Sequence, residues 1–223
     1  MSKYEDIIKH LKNNKYRWLI TGAAGFIGSN IVEKLLDCDQ DIVGIANLSS
    51  GKIKNIEYLI NLNKISKSGS FDFFEADICD YLVCKRHSEN MDFVLHQAAR
   101  GSVIKSIQDP LKTNNSNVSG FLNILHASVE SKVNKFVFAS SSSVYGDSKD
   151  LPKEEKTIGN QLSPYAVSKY INELYAKNFS DLYDLDIVGL RCFNVFGKNQ
   201  DPFGVYAAVI PYWLDAIINF KNI

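Results

Sequence analysis

The chain has 223 residues, 45% hydrophobic and 22% charged, which suits one large α/β domain or two small ones. Lys plus Arg and Asp plus Glu both number 25, so zero formal net charge gives no electrostatic reason to expect nucleic acid or an anionic membrane as partner. Its apolar runs are too short to span a bilayer, and "MSKYEDIIKHLKNNKYRW" lacks the apolar core of a signal peptide, so a cytoplasmic protein is the default expectation.

That N-terminal stretch reads as a short amphipathic helix. "YRWLITG" (16–22) then reads as a first strand, and 26–37 as a helix with Ile27, Ile31, Leu35 and Leu36 on one face. "DIVGIA" (41–46), "FDFFEAD" (71–77) and "MDFVLHQAA" (91–99) read as the next three strands. A fifth begins "KFVFASSSSVYG" (135–146) and a sixth begins "LDIVGLRCFNVFG" (185–197), with helical patterns over 114–131 and 163–183 and a polar loop over 147–161. Nearly continuous apolar strands alternating with helices predict an α/β fold with a doubly wound parallel sheet. The four cysteines, Cys38, Cys79, Cys84 and Cys192, form no CxxC pair, and their spacing suits no zinc site. They are expected to be reduced thiols, and no metal site is expected.

Two motifs carry chemistry. "TGAAGFIGSN" places Gly22, Gly25 and Gly28 between a strand and an apolar helix. There the glycines permit a tight turn, close approach of a pyrophosphate and close helix–strand packing, and the helix N-terminus offers N–H groups to phosphate. A glycine turn that merely packs is the alternative, and the strand–turn–helix context argues against it. The second motif, "SPYAVSKY", sets Tyr165 and Lys169 on one helical face, with Ser163-Pro164 as a helix start. A tyrosine of pKa about 10 is a poor base at neutral pH, and a neighbouring ammonium lowers that value. Tyr-xxx-Lys alone is common on surface helices. It gains force from "ASSSSVYGD", whose hydroxyls lie at the C-terminal end of the fifth strand, the edge where open α/β sheets bind ligands. A solvated serine turn is the plainer alternative.

With "EADICD", "VLHQAA", "NVSGFLNIL", "SSSSVYGD" and "LRCFNVFG" added, the chain resembles the extended short-chain dehydrogenase/reductase family of nucleotide-sugar epimerases and dehydratases. "HQAARGSV", "TIGNQLSPYAVSKYINELYA" and "DPFGVYAAVIP" look most like its bacterial UDP-N-acetylglucosamine 4-epimerases. The resemblance implies a Rossmann-like domain over 1–190, with the start of a substrate-binding region over 191–223. It implies an NAD site built from Gly22, Gly25, Phe26, Ile27, Gly28, Asn47, Gly51, Asp77, Ile78, Gln97, Ala98, Ala99, Ser116, Tyr165 and Lys169, with Asn117 close by. Tyr165 would be the base, Lys169 would hold the nicotinamide ribose, and Ser141 would share the sugar's 4-hydroxyl. Gly101, Ser102, Ser142, Ser143, Asn194, Ala208 and Val209 would contact the nucleotide sugar. A homodimer through the helices over 114–131 and 163–183 is also implied. The related dehydratases carry an Asp-Glu pair where this chain has Ser142 and Ser143, so a general acid for elimination is missing and epimerisation is expected.

Three departures stand out. Ala46 replaces the family's Asp at the end of the second strand, which removes a ribose contact of roughly 1.5–3 kcal/mol. That loss also opens the possibility of NADP, for which Lys52 is the nearest basic residue. Arg100 stands where the subgroup usually has an apolar residue. Finally, the family continues beyond "AIINFKNI", so the resemblance implies a fragment or a short product, and the rival readings are a non-catalytic dinucleotide-binding chain or another nucleotide-sugar enzyme, a 4,6-dehydratase or reductase.

Overall fold

The computed structural model describes residues 2–66, 69–201 and 209–220. An amphipathic helix α1 (Lys3–Asn13), closed by a capping box between Ser2 and Glu5, precedes the sheet. Then follow β1 (Arg17–Thr21), α2 (Phe26–Leu36), β2 (Asp41–Ala46), α3 (Ile53–Ser66), β3 (Ser70–Glu75), α4 (Tyr81–Ser88) and β4 (Phe93–His96). After α5 (Val103–Gln108), α6 (Pro110–Asn114) and α7 (Gly120–Glu130) come β5 (Lys135–Ala139), α8 (Pro164–Tyr183), β6 (Asp186–Leu190) and α9 (Val209–Ile218).

Among the described residues, six strands form one parallel sheet in the order β3-β2-β1-β4-β5-β6. Strand order reverses between β1 and β4, so the crevice above their C-terminal ends is the topological switch point. Alternation along β1 supplies the two layers. Leu19 joins a core with Val94, Phe121, Phe136 and Phe138, whereas Ile20 joins Val32, Leu36, Ile42 and Leu59 on the other face. Each fully buried Leu, Ile or Phe stabilises by roughly 1.5–3 kcal/mol, so apolar residues on both sides of a strand require helices on both sides of the sheet.

Three strands are shorter than the sequence suggests, β1 by one residue at each end. The third strand ends at Glu75, because Ala76 N–H makes the final bond to Ala46 and the next carboxylate turns to local donors. The fourth covers only Phe93–His96, since beyond Gln97 the chain lifts off the sheet to wall the crevice. The helix read over 114–131 is a π-turn at Asn115–Ser119 followed by α7, and it continues backward into α6. β6 is an edge strand whose Val188 and Leu190 are exposed, and it flanks an open depression of about 900 Å³ that also includes Arg191 and Phe193. No helix among the described residues is long and apolar enough to cross a membrane.

Candidate active site

The crevice begins at the turn after β1. Gly22 has φ of +71°, and a Cβ there would lie 2.8 Å from the backbone nitrogen of Ala98. A Cβ on Gly28 would sit 2.2 Å from the Gly22 carbonyl oxygen, so both positions require glycine for close packing of turn, helix and neighbouring loop. Gly25 caps α2 without a side chain. The first residues of that helix, Phe26, Ile27 and Gly28, therefore face the crevice with the helix N-terminus, which favours an anion.

The crevice encloses about 360 Å³, within the range of small-molecule sites. Gly22, Gly25, Phe26, Ile27, Gly28, Asn47, Gly51, Ile78, Gln97, Ala98, Ala99, Gly101 and Ser116 line it, all expected from the sequence for cofactor or substrate. Ala46, Leu48, Ser49, Ser50 and Arg100 line it too. Asp77 lies just behind this wall. Its carboxylate accepts hydrogen bonds from Asn47 Nδ2 at 2.9 Å and from Cys79 N–H at 2.8 Å. Burial pushes the Asp77 carboxyl up, but these donors outweigh it and hold the group below the usual carboxylate range. Asn117 also lies behind the wall: it is buried, accepting from Arg100 N–H and donating to the Arg100 carbonyl and the Ser168 hydroxyl. It therefore clamps the loop after β4 to α8. Lys52, the nearest base to Ala46 in sequence, is paired with Asp201 at 2.8 Å.

Ala46 ends β2 and faces the crevice with no carboxylate beside it on that strand. Ala46→Asp is expected to tighten NAD roughly ten-fold by adding a charge-assisted contact to the adenosine ribose, measured by titration calorimetry. Unchanged NAD affinity, or tighter binding of NADP than NAD by the unaltered chain, would mean that this strand end does not read the ribose as supposed.

The side chains that the sequence reading expects to be catalytic, Tyr165 and Lys169, stand on α8. Ser163 caps that helix, its hydroxyl accepting from Ala166 N–H, and Pro164 opens it with a φ already helical. Tyr165 and Lys169 then share a face, with the Lys169 ammonium 6.0 Å from the centre of the Tyr165 ring. Lys169 is 3% exposed and donates to the Ala139 carbonyl, at the end of β5, at 2.7 Å. Burial brings its pKa down to about 8, so it still carries its proton at neutral pH. The Tyr165 backbone N–H donates to the Ser106 hydroxyl, which ties the start of α8 to α5. Beneath the site, buried His96 shares a 2.8 Å hydrogen bond with the Thr21 hydroxyl. That hydroxyl also accepts from Ala98 N–H. Burial, aided by the Lys169 charge, takes the His96 pKa to about 3, so the ring is neutral.

The serine run lies at the end of β5. Ser141 is largely buried, its hydroxyl accepting from Ser143 N–H, and Ser142 opens a 3₁₀ turn with its N–H on the Cys192 carbonyl. The remaining residues expected around a sugar are more scattered. Gly101 has open space where a Cβ would point, Ser102 caps α5, Asn194 is exposed with φ of +40°, and Val209 is exposed on α9. Ala208 lies outside the described residues.

Sequence reasoning passed over Glu173 and Arg191. Glu173 accepts from Ser140 at 2.5 Å and from Arg191 Nε and Nη2 at 2.9 and 2.7 Å, tying the ends of β5 and β6 to α8. A signal was present: Glu173 follows Lys169 by one helical step of four, so a carboxylate shares the face of Tyr165 and Lys169.

The chain belongs to the NAD dependent epimerase/dehydratase family, whose model matches residues 18–223. It is 39% identical over 206 residues to a putative UDP-glucose 4-epimerase of Methanocaldococcus jannaschii, covering 92% of this chain and 64% of that protein. It is 37% identical to the UDP-glucose 4-epimerase of Mycolicibacterium smegmatis, covering 91% and 63%. Among solved structures, a UDP-N-acetylglucosamine 4-epimerase from Methanobrevibacter ruminantium, in complex with UDP-N-acetylmuramic acid, superposes with a TM-score of 0.85 at 38% identity. That match covers 94% of this chain and 64% of that one. A Thermus thermophilus UDP-glucose 4-epimerase in complex with NAD gives 0.79 at 34% identity, covering 93% and 64%. The chain thus spans just under two thirds of the length of these relatives.

Proposed function

We propose that this chain forms the cofactor-binding and catalytic part of an NAD-dependent 4-epimerase of UDP-hexoses, with UDP-N-acetylglucosamine and UDP-N-acetylgalactosamine as the favoured pair. One observation carries the reading: a buried ammonium, Lys169, stands 6.0 Å from the Tyr165 ring at the sheet edge that also bears the glycine-lined crevice. The crevice fits a dinucleotide. It presents an uncapped helix N-terminus for the diphosphate, apolar Ile78 and Ala76 for an adenine, and no acidic side chain among the described residues of its lining. By the division expected from the sequence, 1–190 is the dinucleotide-binding domain and 191–223 begins the sugar-binding region.

NAD, when bound, supplies a hydride acceptor that returns the hydride to the opposite face of C4. The protein's part is proton traffic and positioning. Tyr165, as phenolate stabilised by the Lys169 ammonium, takes the proton of the sugar's 4-hydroxyl and gives it back to the epimer. Ser141 offers a hydroxyl to share that proton's hydrogen bond. Ser142 and Ser143 place no carboxyl before the "VYG" turn, so elimination of water lacks its acid. Incubation with UDP-N-acetylglucosamine, or with UDP-glucose, tests the reading. Appearance of the 4-epimer supports it, and a 4-keto-6-deoxy sugar as sole product would sink it.

The epimerase is also proposed to act as a homodimer. α5 and α6 pack against α8, and Ile104, Ile107, Leu111, Val167 and Leu174 expose apolar side chains on these three neighbouring helices. Sedimentation at micromolar concentration is expected to give twice the chain mass, and a single monomeric species would count against the dimer.

A further inference from the structure

We infer that Arg100 is a cationic contact for the cofactor's diphosphate, set opposite the N-terminus of α2 and offsetting the carboxylate missing at Ala46. The inference rests on the NAD reading above and adds a residue to it. Three observations converge on Arg100. It is the one charged residue among the described residues that line the crevice. Its Nε is buried and has no hydrogen-bond partner among the described residues. Its backbone is held on both sides by Asn117, whose amide accepts from the Arg100 N–H at 2.7 Å and donates to the Arg100 carbonyl at 3.2 Å.

A guanidinium with a buried, unpartnered donor is costly, and the group never loses its proton to escape that cost. Such an arrangement is stable as a prepared anion site. The anion's position follows from the backbone. The loop that carries Arg100 packs directly on the glycine turn, since Ala98, two residues earlier, lies where a Cβ on Gly22 would collide. Ala98 N–H is also fastened to the Thr21 hydroxyl, and Gln97 N–H to the Thr21 carbonyl. An arginine two residues beyond that contact is within reach of the space above the first turn of α2. That space receives the diphosphate in dinucleotide-binding folds. The guanidinium fork matches phosphate oxygens bidentately and approaches from the side opposite the helix N–H groups.

The experiment compares unaltered chain with Arg100→Met and Arg100→Lys, titrated with NAD, ADP and UDP at two salt concentrations. Arg100→Met is expected to weaken NAD and ADP roughly ten- to a hundred-fold and to flatten the salt dependence of ADP binding, with UDP within two-fold. Arg100→Lys is expected to fall between. The unfolding midpoint of ligand-free Arg100→Met is expected at or above that of the unaltered chain, because an unpaired buried donor is removed. A general packing role would lower that midpoint instead. Unchanged ADP and NAD affinity, or a loss confined to UDP, would overturn the inference and leave the NAD reading intact. Failure of the unaltered chain to bind either NAD or ADP would overturn both.

Discussion

Replacing Tyr165 with phenylalanine is expected to slow interconversion of UDP-hexose epimers by roughly 10²–10⁴-fold, in this chain or any longer polypeptide that carries it. The substitution keeps the ring and removes only the hydroxyl, so packing at the start of α8 is preserved. NAD affinity, read by titration, is expected to stay within a few-fold, which separates loss of the proton acceptor from loss of the site. Lys169 should behave differently. Its ammonium is buried and fixed on the Ala139 carbonyl. Lys169→Met therefore removes the cation proposed to stabilise the Tyr165 phenolate and to hold the nicotinamide ribose, so turnover and NAD affinity should fall together. Tyr165→Phe with unimpaired turnover would remove this residue from the mechanism, whatever the fate of Lys169.

The parts of the site legible in the sequence were those whose chemistry is local. Gly22, Gly25 and Gly28 sit within seven residues of one another, and a strand before them with a helix after them is enough to place a phosphate cradle. The Asp41–Ala46 strand was legible to the residue because its apolar run is bounded by polar residues and a turn. Tyr165 and Lys169 needed only the helical repeat. What the sequence hid was made by distant segments. Asn117 and Arg100 are seventeen residues apart, and their clamp forms only because a π-turn at Asn115–Ser119 displaces the helix by one residue at that point. The short α4 and α5 have little apolar periodicity to announce them. They are set by caps, Asp80 accepting from Leu82 and Val83 N–H, and Ser102 from Lys105 N–H. The ends of β3 and β4 were overextended because apolar residues continue past the last ladder bond into the crevice wall, where Ala76 and Ala98 line the crevice and also pack against the core.

Glu173→Leu is expected to destabilise the fold by about 3 kcal/mol, although Glu173 touches neither the cofactor crevice nor, as proposed, the substrate. Its carboxylate receives the Arg191 fork and the Ser140 hydroxyl together, and the paired side chains are 19% and 14% exposed. Removing one partner of a fully buried pair costs about 3–5 kcal/mol, and the partial exposure here puts the effect at the lower end. Arg191 would keep its contacts to the Glu155 carbonyl and the Tyr145 ring, at 3.0 and 4.8 Å, but lose its counter-ion. For a chain of this size, 3 kcal/mol corresponds to a fall of roughly 6–12 °C in midpoint. Lys177–Asp181, on the same helix but 78% and 62% exposed, supplies the control, and Asp181→Ala should cost under about 0.5 kcal/mol. Equal effects for Glu173→Leu and Asp181→Ala would show that the pair is only a surface contact. Glu173→Leu combined with Arg191→Leu should recover part of the loss, since no buried charge then stands alone. The single change should also reach catalysis, because Ser140 adjoins Ser141 and Arg191 precedes the segment that leads to Asn194. Loosening three strand and helix ends at once would misplace the Ser141 hydroxyl proposed to act with Tyr165 before it disturbed the cofactor crevice. A fall in turnover at unchanged NAD affinity, measured below the unfolding range, is the expected signature.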